Sequence, residues 1–163
     1  MNRLRILVAE DEPDALRALT LRLQAHDYEV VPAVDAMQAT ARIRKEKLDL
    51  ILLDIHLPAG GGFKILERLR SSPKTRTIPV IAITADPSPE TKRRCYELSC
   101  HAFFRKPYHP QRLLEAIELA LGPAGKMPTH KVVKSTSPTD TPPAQKTSGG
   151  MIPTRAGANS EKI

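Results

Sequence analysis

Five short apolar runs recur along the first 122 residues: "RILVA", "EVVPAV", "DLILLD", "IPVIAIT" and "HAFF". Each reads as a strand. Between them apolar residues return at helical spacing. Leu16, Leu19 and Leu23 share one helical face, and Ala36, Ala39 and Ile43 share another. Phe63, Leu66 and Leu69 define a third helix, and Leu113, Leu114, Ile117 and Leu121 define the last. The stretch from Pro89 to Leu98, "PETKRRCYEL", is the most polar helix of the set; its opening Pro and the Glu beside it suit a helix N-terminus. The last helix runs out at Gly122, a natural C-terminal stop. Strict β-α alternation predicts an α/β fold, a parallel sheet with helices on both faces and right-handed crossovers. There is no internal repeat and no heptad seam.

The third run is the most apolar, and it ends on a carboxylate, Asp54. A strand so apolar requires cover on both faces. Its C-terminal end is where open α/β sheets place their chemistry. All strands of a parallel sheet end on the same rim, so the residues just beyond them converge. The first strand exits into Glu10, Asp11 and Glu12, the third into Asp54, the fourth into Thr84, and the fifth into Lys106 and Pro107. Clustered carboxylates repel unless a cation binds between them, and oxygen-only ligands favour Mg²⁺. With the metal present Asp54 stays ionised and can act as a nucleophile, as carboxylates do when they form aspartyl phosphates. Phosphoryl transfer then needs positioning and positive charge, which Mg²⁺ and Lys106 supply, while the Thr84 hydroxyl can donate to the new phosphoryl group. Glu12 and Asp14 serve the helix dipole.

In this pattern residues 1–122 resemble the receiver domain of two-component response regulators, in the manner of a stand-alone chemotaxis regulator. The resemblance is carried by "ED" at Glu10 and Asp11, "LLDIHLP…G" around Asp54, "ITAD" at Thr84 and "RKP" at Lys106, with Thr84 and Lys106 falling 30 and 52 residues after Asp54. It implies a flavodoxin-like, doubly wound sheet of five strands in the order 2-1-3-4-5, with five helices. It also implies that a histidine kinase or a histidine phosphotransfer protein gives its phosphoryl group to Asp54. Mg²⁺ would be held by Glu10, by Asp11 most directly, by Asp54 and by the backbone carbonyl of His56. Phe103 stands at the family's switch aromatic. Phosphorylation would draw Thr84 inward with Phe103 following, and a downstream protein would read the face made by the fourth helix, fifth strand and fifth helix. The bond to Pro107 is commonly cis in the family, which fixes the loop that carries Lys106. Ala85 is small and leaves the acceptor accessible, while His56 and Asp86 flank it and influence hydrolysis of the phosphoryl group. Two departures stand out. Gly62 keeps the family's glycine, but Gly60 and Gly61 add freedom that costs ordering entropy, which predicts a more mobile loop. Pro87 and Pro89 in "DPSPE" stiffen the connection into the fourth helix.

Composition alters this picture only at the end of the chain. From Pro123 the sequence is rich in Pro, Ser, Thr, Gly and Lys without apolar periodicity, which predicts a disordered tail over 123–163. It holds six Lys or Arg against two acids, +4 of the formal +7. The two cysteines, Cys95 and Cys100, lie in "CYELSC". On one continuous helix they stand about 140° apart, which disfavours a disulfide. They make a poor metal site and read as small core residues. No apolar stretch is long enough to cross a bilayer, and "MNRLRILVAEDE" turns acidic before a signal-like segment develops, so the expected compartment is the cytoplasm. No second run of periodic helices follows Gly122, so the expected role is a phosphorylation-dependent binding switch. It is not an enzyme beyond self-phosphorylation and self-dephosphorylation at Asp54. The alternatives are a nucleic-acid-associated regulator working through the basic tail, or a phosphorylation-independent adaptor. Dispersed lysines with few aromatics argue against the first, and the intact Asp11, Asp54, Thr84 and Lys106 set argues against the second. A hydrolase built on Asp54 would need an acid where His56 stands.

Overall fold

The computed structural model describes residues 3–122, and the tail over 123–163 lies outside the described residues. The elements alternate as expected: β1 (Arg5–Ala9), α1 (Pro13–Ala25), β2 (Glu29–Ala33), α2 (Ala36–Lys45), β3 (Leu50–Asp54), α3 (Gly61–Ser71), β4 (Val80–Thr84), α4 (Pro89–Glu97), β5 (Ala102–Arg105) and α5 (Pro110–Leu121), with a 3-10 turn at Pro58–Gly60. The strands form one parallel sheet in the order β2-β1-β3-β4-β5. This is the flavodoxin-like arrangement that the sequence resemblance implies.

The period-2 alternation of strand side chains divides the core into two layers. Leu7, Ile51, Leu53, Val80 and Ala82 pack against α2, α3 and α4 through Ala39, Ile65, Leu66, Leu69 and Cys95. Ile6, Val8, Leu50, Leu52, Ile81 and Ile83 pack against α1 and α5 through Leu19, Leu23, Leu113, Leu114 and Ile117. All five residues of β3 are buried, as a central strand covered on both faces requires. Burying each such Leu or Ile contributes about 1.5–3 kcal/mol, and β4, its neighbour, is buried along its whole length in the same way. Pro32 is tolerated in β2 because that strand is an edge, and the residue is exposed.

Local sequence sets the helix ends. Proline opens α1, α4 and α5. Asp35 caps α2, its Oδ1 accepting from the Gln38 N–H at 2.7 Å, and Ser88 Oγ caps α4, accepting from the Thr91 N–H at 3.2 Å. The end of α4 differs from expectation. The helix stops at Glu97, and Ser99 takes a left-handed φ of 55°. The Ser99 N–H donates to the Tyr96 carbonyl at 2.9 Å and the Cys100 N–H to the Cys95 carbonyl at 3.0 Å, the two bonds of a Schellman motif. Cys100 therefore does not continue the helix that carries Cys95.

One charged residue stitches this corner together. The half-buried Arg70 guanidinium donates to four backbone carbonyls: Leu98 at 2.9 Å, and Arg76, Ile78 and Ser99 at 3.0 Å each. It thus ties the end of α3, the approach to β4 and the end of α4. Burial pulls its pKa below the ordinary arginine range, yet it remains the cation those carbonyls require. Arg70→Met keeps much of the packing but strands four acceptors, and is expected to lower unfolding free energy by about 2–4 kcal/mol, read as a reduced urea midpoint at unchanged slope.

Candidate functional site

The sheet register delivers the rim residues. Ala9 of β1 pairs with Leu53, and Asp54 pairs with Ile83, so Glu10 and Asp54 leave neighbouring strands side by side. Thr84 pairs with Arg105, and the Lys106 N–H donates to the Thr84 carbonyl at 2.7 Å, placing Lys106 at the same edge. The Lys106–Pro107 peptide is cis. Lys106 Nζ lies 2.6 Å from Glu10 Oε2 and 2.8 Å from Asp54 Oδ2, joining residues 96 and 52 positions apart in the chain. The remaining oxygens take backbone donors: Asp54 Oδ1 accepts from the His56 N–H at 2.8 Å and Glu10 Oε1 from the Glu12 N–H at 3.1 Å. Glu10 and Asp54 are 2% and 5% exposed, while Asp11 is open to solvent.

Electrostatics follow from this crowding. Burial alone would push the Lys106 ammonium down. Its hydrogen bonds to Asp54 and Glu10, and their charges, prevail and hold it up at about 12. Burial pushes the Glu10 carboxyl up, against the hydrogen bonds from Lys106 and the Glu12 N–H. The carboxylates of Glu10, Asp11 and Asp54 offer oxygens within 4.8 Å of one another. Three carboxylates and one ammonium leave a formal charge of −2 to be balanced. An oxygen-only donor set of that charge fits a hard divalent cation such as Mg²⁺.

Beyond Asp54, the three glycines acquire distinct reasons. Gly60 sits at φ 67°, following Ala59 at φ 59°, so the turn needs left-handed backbone. A Cβ on Gly61 would lie 2.6 Å from the Cβ of Ala36, where α3 meets the start of α2. A Cβ on Gly62 would run into the Ile55 carbonyl oxygen and lie 2.6 Å from that of Asp54. Gly61 and Gly62 are buried in the first turn of α3. The expectation of added freedom is thus corrected for Gly61, which serves close packing.

Across the site, Thr84 is buried and its hydroxyl faces its own downstream turn, accepting from the Asp86 N–H at 3.0 Å and lying 3.3 Å from the Asp86 carbonyl oxygen. Ala85 is exposed. The Asp86 carboxylate accepts from the Ser88 N–H at 2.8 Å and the Thr91 hydroxyl at 2.9 Å, with Ser88 Oγ at 3.0 Å. The Ser88 N–H bond first, then the Thr91 and Ser88 hydroxyls, hold its pKa below the ordinary carboxylate range. His56 Nε2 lies 3.6 Å from Asp86 Oδ2, so these two residues face each other. Phe103 is buried in the layer under α3 and α4. Sequence reasoning missed Ser88 and Thr91, whose capping spacing was the available signal. It also missed Tyr108, whose pKa is raised by burial and by the nearby Glu10 carboxylate.

Residues 6–118 match the model of the response regulator receiver domain. The polar-differentiation response regulator DivK of Brucella anthropi is 30% identical over 119 residues, 73% of this chain and 97% of that one. A CheY-like response regulator receiver domain protein from Methanospirillum hungatei JF-1 superposes with a TM-score of 0.69 at 30% identity, over 74% of this chain and 94% of the other. The receiver domain of the sensor histidine kinase PA1611 from Pseudomonas aeruginosa PAO1, solved with a magnesium ion coordinated in its active site cleft, superposes with a TM-score of 0.68 at 25% identity, covering 74% and 99% of the two chains.

Two outcomes follow from the geometry. Gly62→Ala is expected to lower stability by about 1–3 kcal/mol through overpacking against the backbone of Asp54 and Ile55. Gly60→Ala, which meets no neighbour within 4 Å, pays only the left-handed backbone cost of about 1–2 kcal/mol. Urea denaturation orders the pair. In metal-free protein the Lys106 ammonium, followed by side-chain NMR, is expected to titrate near 12, and at lower pH in Asp54→Asn. Because its folded pKa is raised, the stabilisation is complete below the ordinary lysine pKa of about 10.4 and is lost as pH rises through about 12.

Proposed function

The chain belongs to the response regulator receiver domain family, and from that premise we propose that Asp54 is its phosphoacceptor. The observation that carries this reading is the Lys106 bridge between Asp54 and Glu10 beside the exposed Asp11. A phosphohistidine on a histidine kinase or histidine phosphotransfer protein is the donor. An Asp54 oxygen attacks phosphorus, the P–N bond breaks, and its electron pair returns to the imidazole, which takes a proton from solvent. The product is an aspartyl phosphate.

This chain's residues do the positioning. The His56 N–H fixes the carboxylate plane from one side and Lys106 from the other. Lys106, held cationic, is already in place to follow negative charge from Asp54 Oδ2 onto the phosphoryl oxygens. Mg²⁺, held by Glu10, Asp11, Asp54 and the His56 carbonyl, would neutralise the phosphoryl oxygens. The Thr84 hydroxyl exchanges its long contact with the Asp86 carbonyl for a bond to the phosphoryl group. That exchange pulls on the turn before α4, with Phe103 following, and alters the α4-β5-α5 face that a downstream protein reads. The chain acts as a signalling receiver with no turnover beyond phosphorylation and dephosphorylation of Asp54 itself. Among the described residues no helix is long and apolar enough to cross a membrane, in keeping with action in the cytoplasm.

Incubation with Mg²⁺ and acetyl phosphate is expected to add one alkali-labile phosphoryl mass to the parent chain and none to Asp54→Asn. Thr84→Ala should still accept the group while amide shifts across α4 and β5 shrink. A parent that gains no adduct from acetyl phosphate or any of a range of kinases would remove the reading.

A further inference from the structure

The two cysteines of the chain play no part in the chemistry of Asp54, and the fold brings them together. On a continuous helix Cys95 and Cys100 would point in different directions. The helix instead ends at Glu97, and the left-handed Ser99 turns the chain back. The 3.0 Å bond from the Cys100 N–H to the Cys95 carbonyl, with that from Ser99 to Tyr96, sets the third-last helical position beside the second residue past the cap. Those two positions ordinarily share an apolar side-chain contact, and here both are cysteine. Both are free thiols in the same buried cluster, Cys95 fully enclosed and Cys100 with 8% exposed. Hydrogen bonding between the thiols draws Cys95 below its ordinary range; the same contact, with burial, holds Cys100 well above it. The corner is also rigid, since the Arg70 guanidinium binds the carbonyls of Leu98 and Ser99, the residues between the two cysteines.

We propose that Cys95 and Cys100 are a dithiol modification site, oxidised by a low-molecular-weight disulfide to an intramolecular disulfide that closes the C-terminal end of α4. When the end of α4 opens locally, Cys100, the thiol nearer solvent, is released from the contact and burial that keep it protonated, loses its proton to solvent and attacks one sulfur of the oxidant. The oxidant's S–S bond breaks, and one half leaves as a thiolate that takes up a proton. Cys95, deprotonated in turn, attacks the Cys100 sulfur of the mixed disulfide and expels the second half, which is protonated likewise. The protein loses two hydrogens and the oxidant becomes two thiols. Buried cysteines that serve packing alone are inert to such reagents. A pair seated in contact by the backbone needs only a local opening of the α4 end to react, and closes again in the same geometry. In a reducing compartment such a bond is reversible, as redox-sensing disulfides are. The site stands independently of the assignment of Asp54.

The test equilibrates the full chain, native and in urea, with graded mixtures of reduced and oxidised glutathione. Samples are acid-quenched, alkylated with N-ethylmaleimide and weighed intact. With two cysteines in the chain, the mass separates the dithiol, the glutathione adduct, the internal disulfide and a linked dimer. The native chain is expected to reach an unlabelled monomer two hydrogens lighter, at glutathione ratios at least about tenfold more reducing than the urea-unfolded chain needs. Cys95→Ala and Cys100→Ala should each stop at an adduct or a dimer. Should those variants lose the fold, amide exchange on the parent decides. Oxidation is expected to slow exchange of the Ser99 and Cys100 amides. A native chain that keeps both labels or collects glutathione while the unfolded chain closes overturns the proposal. So does oxidation that accelerates exchange through α4.

Discussion

The site depends on one ammonium group shared by two carboxylates. Lys106 reaches Glu10 and Asp54 from the end of β5, three places along the sheet from β1 and two from β3, across residues that are distant in sequence and adjacent only once the sheet is built. Two nearly buried acids would repel and draw protons without it. The parallel sheet supplies the geometry by ending β1, β3 and β5 on one edge. The buried core of β3 supplies the rigidity, because Asp54 cannot shift without moving a strand packed on both faces. Gly62 completes the support, lying so close to the carbonyls of Asp54 and Ile55 that no side chain fits between.

From that rim the connection to the rest of the domain runs through α4. Its N-terminus is held by Asp86, Ser88 and Thr91, in the turn that also occupies the Thr84 hydroxyl. Its middle leans on α3, with the Arg94 guanidinium 4.1 Å from the Phe63 ring centroid and 2.6 Å from Glu67. Its C-terminus is fixed by Arg70 and by the backbone bonds of Ser99 and Cys100 back into the last turn. A change of partner at Thr84 therefore acts first on a helix whose opposite end is clamped, which favours a local adjustment of the α4 entrance over a movement of the whole helix.

The sequence carried the parts that depend on local pattern. The run "DLILLD" predicts a central strand because four consecutive apolar positions allow no solvent face, and Asp54 follows as its exit. Convergence of Glu10, Asp11, Thr84 and Lys106 was legible because topology alone fixes where parallel strands end. What stayed hidden depends on tertiary contact or on backbone turns that side-chain periodicity does not encode. Nothing in "CYELSC" signals that Ser99 adopts a left-handed conformation usually left to Gly, so the sequence shows Cys95 and Cys100 as core residues without showing that they meet. Arg70 resembles any basic residue in the last turn of a helix, and only the fold reveals its four carbonyl partners. Gly61 looked like added freedom because its neighbour Ala36 comes from another helix.

The central claim is that the carboxylate held by Lys106 and the His56 N–H is the group that is phosphorylated. Borohydride reduction of phosphorylated protein converts an aspartyl phosphate to homoserine and marks the residue permanently. Peptide mass spectrometry is expected to find homoserine at position 54 and at no other aspartate. Homoserine at Asp11 or Asp86, or a phosphorylated chain that borohydride leaves unmarked at Asp54, would contradict the account.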